Sequence, residues 1–452
     1  MRRLLTLWAT LVFAQLASVD TVAQATGGVT LIKAARLLDP RSGSVLSPAA
    51  VLVEGGRIKE VGAPERVQAA APAGVKIIDL GSATLLPGLI DSHTHLLLDV
   101  IVPAEAESAR RYNGDFVPGL LLAIVESPSK RVLLGAQLAR EDLESGFTTV
   151  RNLGHSGIDG DTALRDAINA GRVPGPRMLA SGRKLAPGGY VQSLNPALAE
   201  AILRQEFLPL DGPDQARAAV RQNIFYDVDL IKVAVEDDVT PAEMSAVVEE
   251  AHRQKLRVAV HATSTASIQT AIDAGADSIE HGNRVTDQQL KQMRDKGIFL
   301  DITPMWYGGL YSKIHEVITM SSAARAGQAA DDERSRQRGV EFVRRVSRSG
   351  VKFAAGSDMC WFYPGKTRGQ ASAMMFTALR DVGMPPLEVI RAVTTSAADM
   401  LGWQDRVGAI EPGKFADLIA VAKDPLTDIT ELGRVQFVMK DGRTIRNDFS
   451  PN

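Results

Sequence analysis

The sequence predicts an α/β protein: a (β/α)8 TIM barrel carrying a small discontinuous β-sandwich domain built from both ends of the chain. Eight short apolar runs alternate with helical patterns across roughly 310 residues, the repeat of a parallel barrel. β-textured segments stand at both ends of the chain, where pairing with each other is the simplest arrangement. The residues capable of chemistry follow the apolar runs, on the face where barrel active sites are built.

Arg2 and Arg3 precede an apolar run from Leu4 to about Val19, and Ala23-Gln24-Ala25 follows. This is the three-part layout of a secretory signal, so residues 1–25 are expected to be cleaved and the protein exported, with the periplasm the expected compartment. No later stretch reaches the apolar length of a bilayer span, so stable membrane insertion is not expected. Cys360 is the only cysteine. An exported chain of 452 residues without an intrachain disulfide must be held by its core or by metal.

Residues 26–86 and 404–452 are assigned to the small domain. Short β-branched runs (Val29 to Ile32, Ala50 to Val53, Arg57 to Val61, Val75 to Leu80) are punctuated by turns such as Glu54-Gly55-Gly56, and the texture returns in Asp417 to Val421 and Val435 to Val438. Residues 87–403 are assigned to the barrel. Its strands are expected at Leu86 to Thr94, Thr148 to Leu153, Arg177 to Ser181, Leu230 to Val235, Leu256 to His261, Ser278 to His281, Phe299 to Thr303 and Lys352 to Ser357. Helical patterns such as Arg131 to Ser145, Asp214 to Ile224 and Ala242 to Gln254 fill the gaps. A doubly wound open sheet is disfavoured because no glycine-rich phosphate loop opens the first helix.

With 51 Lys+Arg against 53 Asp+Glu the net charge is −2, which lacks the basic footprint of nucleic-acid binding. A small molecule or short peptide is the expected partner.

His93 and His95 close the first strand, and residues two apart on a strand point to one side, so both imidazoles reach one ion. His261, His281 and Asp358 each end a later apolar run. Lys232 stands inside Leu230-Ile231-Lys232-Val233-Ala234-Val235, where an unpaired ammonium is costly and must be paired, deprotonated or modified. A salt bridge to Glu236, Asp237 or Asp238 is the plain answer; carboxylation by CO2, giving an anionic oxygen ligand, is the sharper one. Thr240-Pro241-Ala242-Glu243 reads as a helix N-cap that the acidic cluster would suit. His252, His315 and Cys360 are read as structural.

Leu86-Pro87-Gly88-Leu89-Ile90-Asp91-Ser92-His93-Thr94-His95, the strand-borne Lys232, His261, Glu280-His281-Gly282, Gly356-Ser357-Asp358 and the terminal segment Gly408 to Leu418 together resemble the amidohydrolase superfamily. Thr148 to Gly154 and Gly175-Pro176-Arg177 resemble its imidazolonepropionase-like branch, which includes prolidases, carboxypeptidase-like enzymes and ochratoxinase. The resemblance implies two divalent ions, zinc the expected metal. His93, His95, Lys232 and Asp358 would hold one, and Lys232, N6-carboxylated, with His261 and His281 the second. It further implies attack of a bridging hydroxide on a carbon–nitrogen amide bond, with Asp358 as the catalytic proton carrier, in a dipeptide or N-acyl amino acid, ochratoxin-type aromatic amides included. A homo-oligomer is also implied.

Substrate contacts are expected from Arg151, as a carboxylate clamp, and from His155, Tyr190, Trp306 and Tyr307. Trp361 and Tyr363 stand at the same face. Two positions depart from the branch: Tyr190 replaces the histidine of a Gly-Gly-His, and Glu236-Asp237-Asp238 replaces a Ser/Gly-rich stretch. The competing readings are a mononuclear ring hydrolase or deaminase like imidazolonepropionase, and an inactive binding protein on the same fold.

Overall fold

The computed structural model describes residues 28–100, 122–187, 195–235, 238–304 and 322–449. The signal-like segment, Tyr190, Glu236, Asp237, Trp306, Tyr307 and His315 lie outside them. No helix among the described residues is long and apolar enough to cross a membrane.

The barrel strands are β1 (Leu89–Thr94), β2 (Phe147–Asn152), β3 (Arg177–Ala180), β4 (Lys184–Ala186), β5 (Leu230–Ala234), β6 (Arg257–Ala262), β7 (Ser278–His281), β8 (Phe299–Ile302) and β9 (Phe353–Ala355). All of their mutual pairings are parallel. β1 to β3 form one ladder and β4 to β9 another. Two seams join them: Asp229 N donates to Ala180 O at 2.8 Å, and Asp358 N donates to His93 O at 2.7 Å beside a Thr94–Met359 bridge.

The third expected strand, Arg177 to Ser181, stops one residue early and resumes as β4. Gly182, at φ +66°, makes the break, and a Cβ there would lie 2.8 Å from Val228. The buried Asp161 carboxylate fixes the turn by accepting from Ser181 N at 3.1 Å and Gly182 N at 2.9 Å. Phe207–Pro209 adds a parallel strand beside β4 that the periodicity did not announce.

Alternation sorts the barrel residues into layers. Val150, Ile231, Val233, Val258, Val260 and Ile279 face outward into the core shared with the helices. Ile90, Leu179, Leu230, Ala259, Phe299 and Ala354 face inward as an apolar floor. Helices cover the outside, and their ends are chemically specified. At Pro241–Arg253, Thr240 and Glu243 form a capping box with Pro241 in the first turn, as the sequence pattern proposed.

Strands from both chain ends share one six-stranded sheet. Leu418–Val421 lies antiparallel between Thr84–Pro87 and Phe437–Lys440. A four-stranded sheet of Arg57–Gly62, Ala49–Glu54, Thr30–Ala34 and Lys76–Asp79 accompanies it, and a common apolar cluster runs between the two. The expected single strand Leu86 to Thr94 is therefore two: Thr84–Pro87 belongs to this sheet and β1 to the barrel. Gly88 makes the transition, at a point where a Cβ would meet Thr148 Oγ1 at 2.0 Å. Arg177 clamps the two units, pairing with Asp417 at 2.7 Å while its guanidinium lies 3.5 Å from the Phe415 ring centre.

Candidate metal centre

Above the apolar floor the barrel interior turns polar. Arg151 points inward because Val150 and its outward-facing neighbours alternate with it. Its Nη2 lies 2.8 Å from Glu280 Oε2 and 2.8 Å from Asp301 Oδ2, its Nη1 donates to Ser278 Oγ at 3.1 Å, and its Nε donates to Ser92 O at 2.6 Å. Arg151 is thus committed to a buried ion-pair layer under the site rather than placed at the rim. Strand periodicity accounts for this: its side chain shares the inward face with Glu280 and Asp301.

The layer aims the histidines above it. His93 Nδ1 lies 2.9 Å from Glu280 Oε2, and His95 Nδ1 lies 3.2 Å from Gly154 O. A carbonyl and an ionised carboxylate only accept, so both Nδ1 atoms carry the proton and both Nε2 atoms present lone pairs. Those lone pairs face the same oxygen: His93 Nε2 is 3.4 Å and His95 Nε2 3.2 Å from Asp358 Oδ1. Three acceptors converging on one another repel unless a cation stands among them. Burial reinforces the ligand form, pushing the His93 imidazole down to about 4 and lowering His95 as well.

His281 joins from β7. Its Nδ1 is 2.6 Å from Thr303 Oγ1 and 3.9 Å from Asp358 Oδ2, and burial holds it well below the ordinary imidazole value. Its ring lies 5.0 Å from His93 and 4.5 Å from His261. Ligand atoms of His93, His281 and Asp358 all fall within 4.8 Å of one another. His155, His281 and Asp358 take left-handed backbone at φ 59°, 70° and 54°. Such strain concentrates where a fold re-aims side chains at a site.

Lys232, on β5, is buried, and its Nζ has no hydrogen-bond partner among the described residues. Burial pushes its ammonium down to about 8. An orphaned amine beside lone pairs and a carboxylate suits a nitrogen that carries an added ligand group. The donor set of imidazoles and carboxylate suits zinc, with manganese or cobalt as substitutes.

The other expected contacts distribute as follows. His155 is buried with its ring 5.0 Å from His95 and its Nε2 2.6 Å from Lys184 Nζ. Trp361 is buried in a small apolar cluster with Cys360, whose thiol burial pushes up, and Tyr363 packs at its edge. His252 pairs with Asp277 at 2.8 Å near the surface. Sequence reasoning passed over Glu280, Asp301 and Lys184. Glu280 sits two residues beyond Ser278 on the inward face, a signal that alternation along β7 contained; Lys184 was hidden by the strand break.

An amidohydrolase family model matches residues 84–445. The chain is similar to ochratoxinase of Aspergillus niger, 29% identical over an alignment that covers 92% of this chain and 87% of the relative. It is also similar to imidazolonepropionase of Shouchella clausii, 26% identical over 89% of this chain and 86% of the relative. Among solved structures, a Xaa-Pro dipeptidase with methionine bound in its active site matches with a TM-score of 0.74 at 29% identity, covering 93% of this chain and 100% of that one.

Proposed function

The chain belongs to the amidohydrolase family and is a hydrolase acting on carbon–nitrogen bonds, and from that premise we propose that it is an exported binuclear enzyme cleaving the amide bond of a dipeptide or N-acyl amino acid. The observation that carries the reading is the convergence of the His93 and His95 lone pairs on Asp358 Oδ1, with the orphaned Lys232 amine buried on β5 of the same barrel.

His93, His95, Asp358 and a carboxylated Lys232 would hold one divalent ion, and Lys232, His261 and His281 the other, with zinc the preferred metal. When bound, such ions supply an activated water and polarise a carbonyl. Glu280 and Gly154 O fix the tautomers of His93 and His95, so the ligand nitrogens need no reorganisation. Asp358, at the seam between β9 and β1, would take a proton from the attacking water and deliver it to the leaving nitrogen. The apolar floor closes the barrel below and excludes solvent from that side.

The relatives named ochratoxinase and Xaa-Pro dipeptidase support an amide or peptide substrate. Export to the periplasm rests on Arg2, Arg3, the apolar run and Ala23-Gln24-Ala25. The proposed partner is the substrate alone, with assembly as a homo-oligomer.

The test is metal stoichiometry on protein prepared with zinc and bicarbonate, beside Lys232→Ala, followed by a panel of dipeptides and N-acyl amino acids. Near two ions per chain, a marked loss in the variant and turnover of the panel support the reading. One ion or fewer, unchanged by the substitution, overturns the binuclear mechanism and directs the search to ring hydrolysis or deamination.

A further inference from the structure

Lys232 has a neighbour of its own kind. Leu185 on β4 is in register with Val233 on β5, and both side chains face outward into the same apolar core. One residue earlier on each strand, Lys184 and Lys232 therefore share the interior face, on strands about 4.8 Å apart. Both are buried. Lys184 is also held in place: its Nζ lies 2.6 Å from His155 Nε2, and the His155 ring stands 5.0 Å from that of His95. Gly154, at φ +93°, lets the stem pass, since a Cβ there would meet Lys184 Cγ at 2.4 Å. The fold thus fixes a second lysine beside the first, on the ligand side of the barrel.

Two ammonium groups side by side in a desolvated interior repel, and like charges in directly opposed positions destabilise a sheet. The arrangement becomes favourable if one of them is anionic. We propose that Lys184 is a positioning residue for Lys232, its ammonium pairing with the carboxylate that Lys232 acquires from carbon dioxide. In that step the Lys232 amine nitrogen attacks the carbon of CO2, an N–C bond forms, one C=O becomes a carboxylate C–O, and the nitrogen releases a proton to solvent. Nothing is oxidised or reduced. An ammonium has three N–H donors, so the contact with His155 is compatible with another to the new carboxylate. The proposal rests on the reading of Lys232 given above.

The experiment titrates 13C-labelled bicarbonate into zinc-loaded protein and follows the carbamate carbon by NMR, with metal content measured on the same samples. It uses the parent, Lys184→Met and Lys184→Arg, with Lys184→Gln replacing Lys184→Met if thermal unfolding shows that variant to be misfolded. The bicarbonate needed for half-saturation is expected to rise roughly tenfold or more in the uncharged variant, because one partner of a buried pair is gone. Lys184→Arg is expected to restore most of the affinity and the second ion. Equal carbamate formation in parent and uncharged variant overturns the role of Lys184 while leaving Lys232 carboxylated. Absence of a carbamate signal in the parent overturns the reading of Lys232, and this proposal with it.

Discussion

His93 Nδ1 lies 2.9 Å from Glu280 Oε2, and the same oxygen accepts from Arg151 Nη2 at 2.8 Å. The pair links the first predicted ligand to a residue two strands from the end of the barrel's second ladder. Glu280 is held well below the ordinary carboxyl value: burial opposes its ionisation, but the Arg151 charge and the His93 hydrogen bond outweigh it. It therefore remains an acceptor and keeps the His93 Nε2 lone pair turned toward Asp358.

Replacing that acceptor tests the arrangement. Glu280→Gln is expected to weaken metal binding roughly 10- to 100-fold, the usual cost of losing the carboxylate behind a ligating histidine. Competition with a chromogenic chelator measures it; unchanged affinity contradicts the role assigned to Glu280.

Asp358→Asn removes the proposed proton carrier while nearly preserving shape. The expected loss in kcat is about 10²- to 10⁴-fold, the range for a general acid–base group, with more if an ion is lost as well. Metal analysis of the same preparation separates the two contributions.

Asp142 provides a pH signature remote from catalysis. It is buried on the helix Pro128–Glu144, where burial first and then the Asp91 charge push it up to about 8, while Ser372 Oγ donates to Oδ1 at 3.3 Å. The folded state therefore keeps a proton that the unfolded chain releases near its ordinary value of 3.8. Stability contributed by that proton is present below this value and declines as pH rises toward 8. Asp142→Asn does not titrate, so thermal unfolding from pH 4 to 8 should show the variant gaining on the parent as pH rises, by on the order of a few kcal/mol at the upper end. Parallel pH profiles would contradict it.

Gly154→Ala forces a Cβ against the Lys184 stem at a left-handed position. A stability loss of about 1–3 kcal/mol is expected in denaturant unfolding. Because Gly154 O also receives His95 Nδ1–H, metal affinity should fall with it.

Much of this was legible in the sequence because the signals were local. Eight apolar runs located the barrel strands, four of them leading into His93 and His95, His261, His281 and Asp358, and the Thr240–Glu243 capping box was written in four residues. What escaped depended on contacts across the fold. Arg151 looks like a rim clamp until the inward alternation of β2, β7 and β8 brings Glu280 and Asp301 to it. Lys184 gave no signal because Gly182 interrupts its strand, and only the register of Leu185 with Val233 sets it beside Lys232. The strand leading into His93 looks continuous because Gly88 changes the sheet without changing the apolar texture.

The strand Leu418–Val421 has a consequence for how the molecule is made. It is the partner that Thr84–Pro87 requires, yet more than 300 residues separate them. A nascent chain carrying only its first half exposes the unpaired edge of Thr84–Pro87, and the path from that edge into β1 runs through a single glycine. Completion of the six-stranded sheet therefore waits until Leu418–Val421 has emerged. The lock on that sheet is carried at the far end of the thread.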